Sequence, residues 1–246
     1  MKKLIPAVVM LLVSALLMAT ASFAWFSMNQ TVTAKDMTVI AKSNQMFLLI
    51  KAGTASATDI QTAALIEDSA ETASSALYPA AHNTIGSTGS IEADSGSVKA
   101  NWYYMNSSDP ADYMGSHATG PFTISSSVFT TDYVLVNTFS ITVADGSNAV
   151  ENLRVASCDV TVPTGGVEAI KVIVATDSAY AEYDAAGNLV AGTATIRTAE
   201  LDKDNVETVK IYVYWDGNDT DVYTNNLINL KDTSVVVTFT GDIVNP

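Results

Sequence analysis

Asp216-Gly217-Asn218-Asp219-Thr220-Asp221 sets oxygen-bearing side chains at alternate positions, as a loop that wraps a calcium ion would. The run departs from the helix-loop-helix calcium pattern. Asp221 stands where that loop needs a glycine, and Leu227 where it needs a bidentate glutamate. Asp216, Asn218, Asp219 and Asp221 therefore carry two readings, a weak calcium site and an ordinary hairpin turn; Asp-Gly and Asn-Asp steps favour the turn. Asp202, Asp204 and Asn205 make a second acidic turn with the same two readings. Two aromatic runs, Trp102-Tyr103-Tyr104 and Tyr212, Tyr214, Trp215, could stack sugar rings. Strand alternation, however, sends Tyr103 away from its neighbours, so at least one set is expected in the core.

Other chemistry finds little to work with. Cys158 is the single cysteine, which excludes an intramolecular disulfide and any multi-cysteine metal site; inside a strand pattern it reads as a small buried hydrophobe. His82 and His117 belong to no ligand spacing and read as solvated loop residues. No Ser, His and Asp pattern and no G-x-S-x-G elbow occurs, and nothing places two carboxylates in one cleft. No residue stands out as catalytic, and no cofactor is expected beyond the weak calcium reading.

The elements that would position these residues are strands. Of the 246 residues 48% are hydrophobic and only 15% charged, enough apolar side chain for a packed core. The formal charge of −14, from 26 acidic and 12 basic side chains, argues against a nucleic-acid partner, because a phosphate backbone is bound by clustered Lys and Arg. Strand patterns are read at Thr31 to Ala41, Met46 to Ile50, Val98 to Met105, Tyr133 to Val143, Leu153 to Val162, Val167 to Thr176, Leu189 to Arg197, Val206 to Trp215 and Thr233 to Thr240. Turn residues separate the later strands, as in Asp145-Gly146-Ser147-Asn148 and Ala186-Gly187-Asn188. Val209, Ile211, Val213 and Trp215 alternate with Lys210, Tyr212 and Tyr214, the half-buried pattern of a sandwich sheet. Lys51 to Gly96 is rich in Ala, Ser and Thr and reads as a surface insertion, with one short helix from about Asp59 to Asp68 capped by Thr58 or Asp59. The fold expected is all-β, an antiparallel two-sheet sandwich of jelly-roll type, because no long helices intervene between strands.

The first residues form an address. Lys2 and Lys3 precede an apolar run from Leu4 to Met18, and small residues follow in Ala19-Thr20-Ala21-Ser22-Phe23-Ala24, the order of a signal peptide. Cuts after Ala21 and after Ala24 both satisfy the small-residue requirement, and the cut between Ala24 and Trp25 is preferred. The alternative is an uncleaved anchor, since Leu4 to Phe26 is long enough to span a bilayer. Either way the remainder is exported, residues 25–246 form one sandwich domain, and the membrane is met only through the N-terminal segment.

Ala19 to Ala41 (ATASFAWFSMNQTVTAKDMTVIA) resembles the N-termini of the TasA/camelysin family of secreted bacterial matrix proteins, in which an Ala-aromatic step marks the cut and a strand follows. Asn137 to Ile141, Asp145-Gly146 and Asn152 to Val155 resemble the family's strand, polar turn and strand, and Val209 to Asp219 with Val235 to Thr240 is similar again. The resemblance covers about half the chain; Lys51 to Gly96 has no counterpart in it. It implies a jelly-roll subunit of an extracellular fibre, in a biofilm matrix or a pilus-like filament, released by a dedicated signal peptidase. It also implies a homopolymer in which each subunit donates its mature N-terminal strand to the next, by β-augmentation. Trp25, Phe26, Val32, Ala34, Met37 and Val39 would be the donor side chains. The same residues could instead pair within their own domain. A second class of function is a cell-surface glycan-binding or adhesion module, held by the uncleaved helix and using the aromatic runs.

Overall fold

The computed structural model describes residues 38–43, 47–71, 77, 79–82, 92–94, 97–99, 102–105, 118–122, 133–162, 169–217, 219, 222 and 233–244. Its backbone is almost all strand. The early elements are β1 (Thr38–Ser43), β2 (Leu48–Ala52), helix α1 (Ala57–Ala63), β3 (Glu67–Glu71) and β4 (Ala80–His82), then the short β5 (Glu92–Asp94), β6 (Ser97–Lys99), β7 (Trp102–Met105) and β8 (Ala118–Phe122). The later ones are longer: β9 (Val134–Val143), β10 (Val150–Thr161), β11 (Ile170–Ala175), β12 (Tyr180–Tyr183), β13 (Leu189–Gly192), β14 (Thr195–Arg197), β15 (Glu207–Trp215) and β16 (Ser234–Ile243).

Two sheets make the sandwich. The first has five strands in the order β14-β10-β16-β1-β3, the second six in the order β13-β12-β11-β15-β9-β2. Pairings in both are antiparallel with one exception, β1 beside β16, which runs parallel with Val39 opposite Val235. Alternation supplies the core: Val39, Val155, Val237 and Phe239 are buried in the first sheet, and Phe139, Val172, Ile211 and Val213 in the second. β4, β7 and β8 form a small third sheet, and β5 pairs with β6. No helix among the described residues is long and apolar enough to cross a membrane.

Three expectations need correction. The helix spans Ala57–Ala63 and not Asp59 to Asp68; its cap is Ser56, whose Oγ accepts from the Asp59 N–H while the Asp59 carboxylate accepts from the Ser56 N–H. Ala64 then turns left-handed, with φ 51°, and the Leu65 and Ile66 carbonyls accept from the Ile50 and Ser43 N–H groups. Sheet bonding has replaced the last helical turn, so Ile66 is exposed despite its helical spacing, as is Leu65. Second, the stretch read as an insertion contributes to the sandwich itself, since β3 pairs along β1 from Lys42 to Thr38.

The third correction concerns Leu189 to Arg197, read as one strand. It is two, β13 and β14, in different sheets. Gly192, at φ 76°, makes the crossing: a side-chain carbon there would sit 2.2 Å from the Tyr180 carbonyl oxygen, so only glycine passes. The chain is then fastened on both sides, the Thr193 N–H donating to the Tyr180 carbonyl and the Val155 N–H to the Ala194 carbonyl.

Candidate functional site

Of the candidate donor residues, Trp25, Phe26, Val32, Ala34 and Met37 lie outside the described residues, as does Ala24 on the other side of the expected cut. Val39 is described. It sits in the middle of β1, wholly buried, opposite Val235 of β16 on one side and Ala70 of β3 on the other. Val39 therefore pairs within its own chain's sheet, the intradomain alternative at that position.

Asp216 and Asp219 are the described half of the calcium reading, since Asn218 and Asp221 lie outside. Their backbone makes a turn: the Asp219 N–H donates to the Asp216 carbonyl and the Val222 N–H to the Asp219 carbonyl. The turn also fastens neighbours, through the Asp216 N–H to the Ala169 carbonyl and the Gly217 N–H to the Ala80 carbonyl. Asp202 spends one carboxylate oxygen on the Asp204 N–H and on the backbone and side-chain N–H groups of Asn205, as an Asx turn does. No group of three or more His, Cys, Asp or Glu side chains gathers among the described residues in a way that could hold a metal.

The later aromatic run is core and not a platform. Tyr212, Tyr214 and Trp215 are all buried. Trp215 lies on the face of β15 shared with Val209, Ile211 and Val213; Tyr212 and Tyr214 lie on the other, where Ala80, Val134, Ile173 and Ala175 pack with them. The half-exposed pattern expected for β15 fails because chain around β4 covers that second face. There the Tyr214 hydroxyl donates to the carboxylate of Glu182 at 2.8 Å, both groups buried. Burial, and then the Glu182 charge, drives the Tyr214 phenol well above its ordinary range. β12 itself was missed, because Glu182 inside Tyr-Ala-Glu-Tyr reads as solvated when its tyrosine partner is 32 positions away.

Cys158 is buried on β10. Burial first, and the nearby Asp159 and Asp184 second, push its thiol up to about 12. Its thiol is thereby held in the protonated form at neutral pH, which disfavours the reactive thiolate. Tyr183 is likewise pushed to about 12, chiefly by burial. Arg197 on β14 and Glu207 on β15 form a clip between the two sheets, Nη1 to Oε2 at 2.5 Å, and Arg197 also donates to the Ala199 and Glu200 carbonyls. The Glu207 side chain is 8% exposed; burial lifts its carboxyl above the ordinary range against the pull of Arg197.

With no metal-holding group among the described side chains, the features that bear on association are the four edges of the two sandwich sheets. On β2 the outward Ile50 and Ala52 N–H groups donate to the Leu65 carbonyl and the Asp68 carboxylate, both at 2.8 Å, so that edge is spent within the fold. β3 is acidic, carrying Glu67, Asp68 and Glu71 in five residues, a charge pattern that repels a pairing strand. β14 has three residues, and its Ile196 carbonyl accepts from the Thr176 hydroxyl at 2.5 Å. β13 has no such device. Leu189-Val190-Ala191-Gly192 holds no charge, and Leu189 and Val190 are 44% and 47% exposed.

Comparison with protein-family models, with curated proteins and with solved structures finds no match to this chain.

Proposed function

We propose that the chain is a structural subunit of an extracellular fibre, in a biofilm matrix or a pilus-like filament, as in the TasA/camelysin family that its N-terminus resembles. It is exported behind a signal segment cut between Ala24 and Trp25, and its partners are the signal peptidase during export and then further copies of itself. The mature N-terminal strand of each subunit is donated to the next. We infer a jelly-roll body for the sandwich. β1 pairs within its own chain, so the donated part is the sequence ahead of it, and what supports the reading is the signal-like start with its Ala24-Trp25 step. The first described residues of the chain form a strand recruited into the middle of a sheet, with backbone ladders to β16 on one side and β3 on the other. Donation between copies uses the same ladder, with the partner's backbone in place of the chain's own. A head-to-tail contact of this kind does not close on itself and so propagates as a filament.

Negative-stain microscopy of the secreted protein, with mass determination of its N-terminus, tests the reading. Filaments built from chains beginning at Trp25 are expected. Discrete particles that retain Met1 and bind sugars overturn it in favour of the tethered glycan module. Deletion of Trp25 to Ala34 is expected to leave a folded monomer that no longer polymerises.

A further inference from the structure

We propose that Asp145 is a site of spontaneous covalent modification, where the Asp145-Gly146 peptide isomerises through a cyclic imide, and that the fold protects the same dipeptide at Asp216-Gly217. Asp-Gly occurs at these two places and Asn-Gly nowhere in the chain.

The chemistry needs only water. The Gly146 nitrogen attacks Cγ of the protonated Asp145 carboxyl; an N–Cγ bond forms and a Cγ–O bond breaks. The departing oxygen leaves as water, carrying the Gly146 N–H proton and the proton of the acid. Water then opens the five-membered ring at either carbonyl, restoring aspartate or leaving isoaspartate, in which Cβ has entered the backbone. Nothing is oxidised or reduced. The step asks for a nitrogen held beside the carboxyl group, an N–H not committed to another part of the fold, and no side chain crowding the ring.

Asp145 meets these conditions. The Gly146 N–H donates to Oδ1 of Asp145 itself at 3.1 Å, so the two reacting groups are already neighbours within one turn. The Asp145 side chain is 77% exposed, which gives water access to the ring. Gly146 sits at φ 81° with open space where a side chain would be. Gln61 on α1 holds the backbone just ahead of the site: its Oε1 accepts from the Asp145 N–H at 3.0 Å and its Nε2 donates to the Val143 carbonyl at 2.6 Å.

Asp216 is placed differently. The Gly217 N–H donates to the Ala80 carbonyl at 2.9 Å, and Gly217 is buried. Its nitrogen must give up a bond inside the fold before it can attack. The dipeptide is the same at both places, and only the surrounding structure separates them.

The turn at Asp145 links β9 of the six-stranded sheet to β10 of the five-stranded one. The bond from the Ser147 N–H to the Ala144 carbonyl, 3.1 Å long, spans the residue that gains a backbone atom. The Lys203 ammonium, 3.6 Å from Oδ1, loses the carboxylate it faces.

The test incubates the full-length protein in heavy-oxygen water at neutral pH, folded and in urea. Each ring opening fixes one heavy oxygen, located residue by residue from peptide fragment masses. In the folded chain, label at Asp145 is expected to exceed label at Asp216 at least ten-fold; in urea the two should agree within three-fold. Asp145→Glu, whose longer side chain cannot close the five-membered ring, is expected to abolish label in that turn. A folded chain that takes no label at Asp145 overturns the site, and label that persists in the turn of Asp145→Glu overturns its assignment to this residue. Equal labelling of the two sites in the folded chain, or a ten-fold preference that survives in urea, overturns protection by the fold.

Discussion

The two flanks of the sandwich handle the same physical problem differently. On the β2 and β3 flank every element near the edge is turned inward: the Leu65 carbonyl and the Asp68 carboxylate consume outward N–H groups of β2, and acidic residues line β3. On the β13 and β14 flank the bonds run between the sheets. The Gly192 crossing and the Arg197–Glu207 clip hold them together, and the outer rim of β13 is left apolar. One flank has its hydrogen bonding spent on closing the fold. The other is fastened from within, and its edge strand β13 stays uncharged with Leu189 and Val190 exposed.

Five substitutions break or sharpen that contrast. The largest effect is expected for Gly192→Val, which forces a side chain into the Tyr180 carbonyl at a positive φ; urea unfolding should show a loss of about 3 kcal/mol or more. Next is Arg197→Ala, which strands a buried Glu207 charge and should cost about 2 kcal/mol at neutral pH. This clip also has a pH signature. Because the Glu207 carboxyl sits above its ordinary value of 4.5 in the folded chain, the folded state holds that proton to higher pH than the unfolded state does. Its contribution to stability therefore falls as pH rises from 4.5 through the folded value, and thermal melts of Glu207→Gln should lack that slope. Asp68→Ala uncovers the Ala52 N–H and should cost about 1 kcal/mol, with new self-association along β2 visible by light scattering. Val190→Lys should be silent in stability within about 0.5 kcal/mol, a null result that marks β13 as a surface the fold does not need.

Much of this arrangement is legible in the residues. Alternation along Val206 to Trp215 and Tyr133 to Val143 locates β15 and β9 within a residue or so, because apolar side chains of period two have no other stable use. What the sequence hides is coverage from distant segments. Ser140, a polar residue between the apolar Phe139 and Ile141, is fully buried, and its hydroxyl donates to the Gly53 carbonyl and accepts from the Ala55 N–H, more than eighty positions away. Glu182 and Tyr214 hide each other's burial in the same way. The break at Gly192 is invisible for a related reason, since the glycine is demanded by the Tyr180 carbonyl and not by its neighbours in the chain. The edge of β13 escapes notice because exposure is a property of the assembled sheet. Leu189-Val190-Ala191 looks like any buried strand until its neighbours are known.

The parallel ladder between β1 and β16 has a consequence for synthesis. β16 fills the gap between β10 and β1, and it comes after every other described strand in chain order. Until Ser234–Ile243 has left the ribosome, the growing polypeptide can form hairpins but cannot close its first sheet. A chain that stops short of Ser234 thus lacks the one strand that joins β10 to β1, and its first sheet stays in two separate pieces.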